Sequence, residues 1–380
     1  MPPPALPDDL VDRVLLRFPP EEPELLVRVA LVCKRWFRLI SDPHFRRRFR
    51  EFHRAAPMLG FFCTNYRSPS SRFVPTSSAP LPHAIPGDWR AVDARHGRVL
   101  LNTAACWDDF TFFGSGEDLV VWDPVTGEQH QLPKLSEHMY PHQYPFYCHW
   151  TAAVLCASAE GGCDHLDCGR GPFLVVFVCT STREAFVSVY SSETGAWSGP
   201  ASAQLRRAGV HLAKPSVLVG KALHFMSGDC GATKILKYVL GRQEISLIHL
   251  PKKPYRHIAL MAMADGGLGF AAVHGFKLDL WSRVSGTKGS AKWAQSQAID
   301  LETIGTLSVS FETVCCIDGV AAMLMGNDKT YVIINLKSRQ IRKIIEGRIA
   351  YPVVPYTSFY TPAPGAATTC EGPREGSSSA

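Results

Sequence analysis

The sequence has no long hydrophobic segment. Its apolar runs, such as residues 173–179, have the length of one strand and fall far short of the ~18 residues that a membrane-spanning helix needs. The first residues are rich in Pro and Asp, where a secretory signal has basic and then apolar residues, and no Asn-x-Ser/Thr sequon occurs. We therefore expect no membrane contact and no secretion, and a location in the cytoplasm, the nucleus or both.

Enzyme motifs are also missing. The chain contains no Walker loop, no Gly-x-Ser-x-Gly and no His-Glu-x-x-His. Residues 267–272 match Gly-x-Gly-x-x-Ala, but a dinucleotide site needs that turn between a strand and a helix, and strand-like residues surround it here. We interpret it as a strand hairpin and predict a non-catalytic chain without cofactor-binding residues.

Neither sign of charge is in large excess. Lys and Arg number 40 against 34 Asp and Glu, which gives a formal net charge of +6 over 380 residues. An excess of this size does not indicate a nucleic-acid partner. The basic run between Arg46 and Arg54 alternates with Phe45, Phe49 and Phe52, so we interpret it as the solvated face of a helix.

The 12 cysteines are scattered, and several lie within apolar runs where a thiol acts as a small hydrophobic group. The best metal candidate is the group Cys156, Cys163, His165 and Cys168. Zinc sites commonly use Cys-x2-4-Cys pairs, whereas this spacing is looser and the segment is rich in Gly. We therefore predict an inter-strand loop at this position and no metal.

Three helix-like apolar stripes lie within the first 55 residues. Residues 10–18 and 25–40 carry the first two, and Phe45, Phe49 and Phe52 form the third. Pro7 with two following Asp residues favours a helix start, and the Pro pair at 19–20 ends that helix. Three short helices cannot bury this much apolar surface alone, so we expect another surface to cover part of it.

The same residues carry a family motif. A Leu-Pro start at residues 6–7 precedes an acidic helix start, a Phe-Pro-Pro turn at 18–20, Val-Cys-Lys-Arg-Trp at 32–36 and Leu-Ile-Ser-Asp-Pro-His-Phe at 39–45. This segment resembles the F-box, with a first turn lengthened by residues 21–24. The continuation to residue 62 is similar to grass-type plant F-box proteins.

The resemblance implies a binding role. F-boxes dock on the Skp-family adaptor of an SCF ubiquitin ligase and, through it, on a cullin scaffold. The matching positions are therefore expected to bind the adaptor, and they are Leu6, Pro7, Leu10, Val14, Leu15, Pro19, Leu25, Val29, Cys33, Trp36 and Leu39.

From residue 58 onward the pattern changes from helix to strand. Pairs of short β-branched and aromatic runs recur in five units, and the equivalent residues Asp123 and Asn335 lie 212 residues and four units apart, a period of about 53 residues. Repeats of roughly 40 to 50 residues are typical of propeller blades. We predict about six blades, the last closed by pairing residues 59–63 with 349–360. A pair of β-sandwiches is the alternative.

The predicted architecture is an α+β multidomain chain. It consists of a three-helix F-box at 1–57, a propeller at 58–361 and a disordered tail at 362–380, which is rich in Pro, Gly and Ser. The repeat also resembles the F-box-associated, kelch-like propellers of plant F-box proteins. An F-box joined to a propeller implies a substrate receptor of a ubiquitin ligase that binds a target protein. The alternatives are an interaction protein that docks the adaptor without degradation of a target, and a propeller enzyme with a helical prefix.

One aromatic segment is a candidate for target contact. Tyr and Trp are favoured binding anchors because they offer a large area at little entropy cost. The alternative is that these rings pack blade against blade. The candidate residues are Tyr140, His142, Tyr144, Tyr147 and Trp150.

Overall fold

The fold is described from a computed structural model of the chain. It describes residues 7–65, 68–76, 81, 83–103, 118–135, 149–158, 163–166, 168–181, 183–205, 214–227, 234–251, 257–285, 291–301, 313–317, 322–326, 330–346 and 350–360. The predicted tail at 362–380 lies outside these residues.

Within residues 7–57, which the structure describes, there are four α-helices, α1 (Asp8–Leu15), α2 (Pro23–Ala30), α3 (Lys34–Ser41) and α4 (Pro43–His53). Proline stands directly before α1 and at the first position of α2 and α4, where its missing N–H costs nothing. The Asp42 carboxylate caps α4 by accepting the His44 backbone N–H at 2.7 Å. None of the described helices is long and apolar enough to cross a membrane.

The prediction of three helices is wrong at the second one. The stripe at 25–40 is divided between α2 and α3 at Leu31, Val32 and Cys33, where Cys33 is extended with φ −158° and ψ 159°. No Pro or Gly marks this break. The turn brings Leu26 from α2 and Ile40 from α3 into one common core, whereas on a straight helix they would lie about 21 Å apart along the axis.

The described strands form six antiparallel sheets, and the prediction of about six blades is confirmed. The chain first forms β1 (Met58–Asn65) and β2 (Ser68–Pro75). Blade 1 follows with β3 (Trp89–Arg95), β4 (Arg98–Thr103), β5 (Leu119–Trp122) and β6 (Gln129–Gln131). Blade 2 contains β7 (His149–Cys156), β8 (Phe173–Thr180), β9 (Glu184–Ser191), β10 (Ala196–Trp197) and β11 (Ala201–Gln204).

Blades 3, 4 and 5 have four strands each within the described residues. Blade 3 contains β12 (Val217–Val219), β13 (Ala222–Ser227), β14 (Lys234–Val239) and β15 (Glu244–His249). Blade 4 contains β16 (His257–Ala262), β17 (Leu268–His274), β18 (Lys277–Ser285) and β19 (Ala291–Asp300). Blade 5 contains β20 (Thr313–Cys316), β21 (Ala322–Gly326), β22 (Thr330–Asn335) and β23 (Ile341–Glu346).

The sixth blade joins the two ends of the propeller. It has the strand order β2-β1-β24, where β24 (Ala350–Thr357) is the last strand of the described residues. Phe61 pairs with Pro355 and Cys63 with Val353, so the predicted pairing of 59–63 with 349–360 is confirmed. The first strand β3 of blade 1 packs beside β24, which makes β24 the innermost strand of its blade.

Hydrophobic side chains fill each junction between neighbouring blades. The described core residues separate into one cluster for each of the six junctions and a seventh within the helices. The junction of blades 6 and 1, for example, holds Phe62, Trp122 and Tyr356, with Phe62 and Tyr356 edge to face at 5.8 Å. Each blade is therefore stabilised by both of its neighbours rather than by its own sheet alone.

The repeated turn explains the sequence period. The Asp123 carboxylate accepts the Val125 backbone N–H at 2.8 Å, and the Asn335 side-chain oxygen accepts the Lys337 N–H at 2.9 Å. Each turn ends at a left-handed residue, Gly127 in blade 1 and Arg339 in blade 5. The two landmarks thus cap the same turn between the third and fourth strands of their blades.

Candidate functional site

The helical module has a closed core. Val11, Leu15, Leu26, Ile40 and Phe45 are buried in it, and Trp36 packs half-buried against them. Leu15 corrects a prediction, because its side chain is only 2% exposed and belongs to this core rather than to an adaptor surface. Its neighbour Val14 is exposed because consecutive side chains of a helix point about 100° apart.

Five large apolar side chains of the helical module are exposed within the described residues; one is Phe52 of α4, at 57%, and the other four lie on α1 and at the α2–α3 junction. Leu10 and Val14 on α1 are 46% and 58% exposed, and Leu31 and Val32 at the α2–α3 junction are 72% and 64% exposed. Exposed apolar residues gathered on one small module are typical of an interaction surface. We call these four residues the exposed apolar set.

Sequence reasoning found Leu10 and Val14 but missed Leu31 and Val32. Val32 belongs to the apolar stripe of the second predicted helix, so the pattern suggested that it is buried, whereas Leu31 lies outside that stripe. Among the other predicted adaptor contacts, Leu6 lies outside the described residues. Exposed members are Pro7, Pro19 and Cys33, and half-buried members are Leu25, Val29, Trp36 and Leu39.

Ion pairs hold α1 against the later helices. Arg35 of α3 contacts the Asp8 carboxylate, with Nη2 and Oδ1 2.6 Å apart, and Arg48 of α4 contacts Asp12. Exposed pairs of this kind contribute little stability, at most about 1 kcal/mol. The Arg35–Asp8 pair places the start of α1 beside α3. Leu31 and Val32 immediately precede α3 in the chain.

The module rests on two parts of the propeller. Phe359, just after β24, and Leu166, in the connection between β7 and β8, both pack into the helical core. The ring of Phe359 meets Phe49 of α4 at 6.3 Å between centroids. The helices are thus attached to the closing blade and to blade 2.

A Cys/His group lies in that same β7–β8 connection. The ligand atoms of Cys156, Cys163, His165 and Cys168 all lie within 4.8 Å of one another. Cys168 Sγ is 3.6 Å from His165 Nδ1, and the His165 backbone N–H donates to Cys163 Sγ at 3.3 Å. Burial and the neighbouring thiols raise the pKa of Cys168 to about 12. The sequence spacing indicated only a loop, whereas the structure gathers all four side chains.

Of the aromatic target-contact candidates, Tyr140, His142, Tyr144 and Tyr147 lie outside the described residues. Trp150 corrects a prediction, because it is 3% exposed and lies in the core between blades 1 and 2. Its ring stacks on Phe177 at 5.6 Å with 20° between the planes. The blade-against-blade alternative therefore applies to Trp150.

Polar groups at the ring centre tie blades together. Asp93 of β3 accepts the Val154 backbone N–H at 2.9 Å and lies 3.8 Å from the Arg95 guanidinium. Arg95 donates to the Ser216 carbonyl oxygen at 2.8 Å. Asp93 and Arg95 thereby connect blade 1 to blades 2 and 3.

Three solved structures match parts of this chain at low sequence identity. A chain of a nidogen/laminin complex is 9% identical, with 77% of this chain and 96% of that one covered and a TM-score of 0.41. TolB from Acinetobacter baumannii is 11% identical, with coverages of 78% and 65% and a TM-score of 0.41. The WD40 domain of SCAP from fission yeast is 12% identical, with coverages of 69% and 56% and a TM-score of 0.38. No function is inferred from these likenesses.

Family models give the identification. No curated protein matches the chain. The F-box domain model matches residues 4–48, which include the four helices up to the first half of α4. The model described as "F-box protein AT5G49610-like, beta-propeller" matches residues 90–362, more than half of the chain. The chain is therefore an F-box protein whose propeller belongs to the AT5G49610-like family.

Proposed function

We propose that this protein is the substrate-recognition subunit of an SCF-type ubiquitin ligase. The exposed apolar set carries the proposal, because these side chains lie on an F-box module whose core is already complete without them. A Skp-family adaptor would cover them and connect the chain to a cullin. The residue-level resemblance to grass-type plant F-box proteins supports the same role in a plant cell.

The mechanism is proximity rather than chemistry in this chain. The propeller holds a target protein while the F-box holds the adaptor. Target lysines then meet the conjugating enzyme at a raised effective concentration. F-box and propeller domains are typical of non-catalytic substrate receptors.

A pull-down with a purified Skp-family adaptor tests the docking step. Leu10→Glu with Val14→Glu places two charges where an apolar contact is expected. Loss of a central interface anchor costs about 2 kcal/mol or more, so we expect affinity to fall more than tenfold. Because both side chains are about half exposed in the free protein, the helical spectrum should stay unchanged.

Val284→Glu is the matched control. Val284 is an apolar residue of β18, 49% exposed and far along the chain from the F-box. This variant should capture the adaptor like the wild type. Wild-type capture by the Leu10/Val14 double variant would show that this surface is not the docking site.

A second experiment tests the receptor role. Proteins that co-purify with the full chain are compared with those that co-purify with the Leu10/Val14 variant, with and without proteasome inhibition. A degraded target should accumulate on inhibition and stay bound to the docking variant through the propeller. A partner whose level does not respond to inhibition would favour the alternative of an F-box interaction protein without target degradation.

A further inference from the structure

We propose that Cys156, Cys163, His165 and Cys168 form a structural zinc site that holds the F-box module on the propeller. In tetrahedral zinc sites the Zn–S and Zn–N distances of ~2.3 and ~2.0 Å place ligand atoms about 3.5 to 3.8 Å apart. The Cys168 Sγ to His165 Nδ1 distance of 3.6 Å falls in this range, and all four ligand atoms lie within 4.8 Å of one another. One sulfur-rich coordination sphere therefore accommodates all four side chains.

The backbone conformation positions the ligand side chains. Cys156 ends β7 opposite Phe173, and the Ala157 N–H bonds the Pro172 carbonyl oxygen at 3.0 Å, so the base of the connection is closed. Cys168 lies in a short 3-10 turn at Cys168–Arg170. His165 has φ 57°, a left-handed conformation that is uncommon for residues other than Gly, although His adopts it more often than most residue types. Backbone strain of this kind clusters where a side chain must be aimed at a ligand.

The imidazole has a fixed orientation. The His165 ring lies flat against the His96 ring of blade 1, with centroids 4.2 Å apart and 5° between the planes. Zinc ligands are commonly oriented by a second layer of contacts, and this stack supplies one. All three cysteines of the group are free thiols, so each can supply a thiolate.

The surrounding charge favours the loaded site. Three thiolates outnumber the two positive charges of zinc, so a Cys3His site carries one net negative charge. Arg98 is buried within the electrostatic range of Cys156 and Cys168, and Arg50 of α4 lies near Cys168. Burial and then the nearby charges of Arg46 and Arg170 lower the pKa of Arg50, so positive charge is crowded here. The net negative charge of a zinc-loaded Cys3His site would reduce the repulsion between these arginines.

The position of the site gives it a structural role. Leu166, between two of the ligands, packs into the core of the F-box helices. Zinc bound at its two flanking ligands would hold Leu166 in place and so support α4. This inference concerns how the module is mounted and does not depend on the identity of the partner of the exposed apolar set.

Metal content of the full chain tests the site. Protein purified under reducing conditions with zinc present should contain about one zinc ion per chain. Cys163→Ser with Cys168→Ser should remove that zinc, whereas Cys179→Ser, in β8 of the same blade, should keep it. A wild-type protein without bound zinc, or equal zinc loss in the control, would overturn the proposal.

Cobalt substitution tests the same site without any mutation. Co²⁺ bound to the wild-type chain should give thiolate charge-transfer bands and the intense visible bands of a tetrahedral ion, and added Zn²⁺ should abolish both. Octahedral-type weak bands, or a disulfide among these cysteines in place of metal binding, would contradict the assignment. This measurement decides the question even if the double variant does not fold.

Hydrogen exchange tests the mounting role. Removal of zinc by a chelator should accelerate exchange in α4 and at residues 163–170, and leave β16–β19 of blade 4 unchanged. Unchanged exchange in α4 after proven zinc removal would overturn the mounting role.

Discussion

Phe359 and Phe49 meet edge to face, with ring centroids 6.3 Å apart and 80° between the ring planes. Phe49 lies in α4 and is 1% exposed, and Phe359 follows the last strand and is 9% exposed. The contact joins α4 to the segment that directly follows β24 of the closing blade. The orientation of the F-box module is therefore set in part by the far end of the chain.

Phe359→Ala should loosen the module while the propeller stays intact. Removal of a buried Phe ring costs about 3 to 5 kcal/mol, and here the loss falls on the contact between helices and blade. We expect faster tryptic cleavage at the arginines of α4, followed by mass spectrometry. Phe276→Ala, at an exposed turn of blade 4, should leave cleavage unchanged. Equal protection of α4 in both variants would show that Phe359 does not anchor it.

Leu15 and Leu10 should have separate effects although both belong to α1. Leu15 is 2% exposed, so Leu15→Ala leaves a cavity and should destabilise the helices by about 2 to 5 kcal/mol. Leu10→Ala should change stability by less than about 1 kcal/mol and weaken adaptor binding instead. Thermal melts followed by circular dichroism measure the first effect and a binding titration the second. Similar melting of the two variants would contradict the assigned burial.

Gly60→Ala should destabilise the closing blade. A Cβ at Gly60 would overlap the Val74 carbonyl oxygen and the Phe73 ring, and backbone atoms cannot yield as a flexible side chain can. Overpacking of this kind costs about 1 to 3 kcal/mol, so the melting temperature should fall by several degrees. Gly199→Ala is the control, because a Cβ there meets nothing within 4 Å. A Gly60→Ala variant as stable as this control would mean that β1 and β2 separate easily.

His224 should make stability depend on pH. Burial, followed by the charges of Lys237 and Arg283, lowers its pKa from 6.5 to about 4. Below pH 6.5 the unfolded chain takes up a proton that the folded chain does not, so stability falls as the pH drops from 6.5 toward 4. The loss from this group is about 3 kcal/mol once the pH is below both values.

Denaturant unfolding between those pH values measures this effect. His224→Gln has no such group and should show a shallower loss of stability on acidification. His274→Gln, at an exposed residue, should keep the wild-type slope. Parallel pH profiles of the unfolding free energy for wild type and His224→Gln would show that protonation of His224 does not destabilise the folded protein.

Much of the propeller could be predicted from the sequence because its inner strands are buried and apolar. The five recognised pairs of runs cover the middle strands of their blades, such as β8 with β9 and β21 with β22, and in blade 3 the first run also includes β12. Outer strands gave no such signal. The strand β6 (Gln129–Gln131) is exposed at every residue, and β19 is mostly exposed, so neither has a hydrophobic pattern to recognise.

The features that sequence reasoning missed depend on tertiary contacts. Leu31 and Val32 are apolar and no Pro or Gly stands beside them, so nothing local distinguishes the break from a helix interior. The Cys/His group needs the left-handed turn at His165 and the His96 ring of another blade to assemble. Spacing along the chain carries neither piece of information.

The late position of β24 has a consequence for synthesis. The F-box helices leave the ribosome before the propeller, and the strand that completes the ring leaves it after five whole blades. Until then β1 exposes an unpaired edge that another nascent chain could occupy. A premature stop codon before residue 350 would produce a fragment with its helices but no closed ring and no Phe359. Under the proposed function, such a fragment would compete for adaptors and deliver no target, so the truncated allele would act dominantly over the intact one.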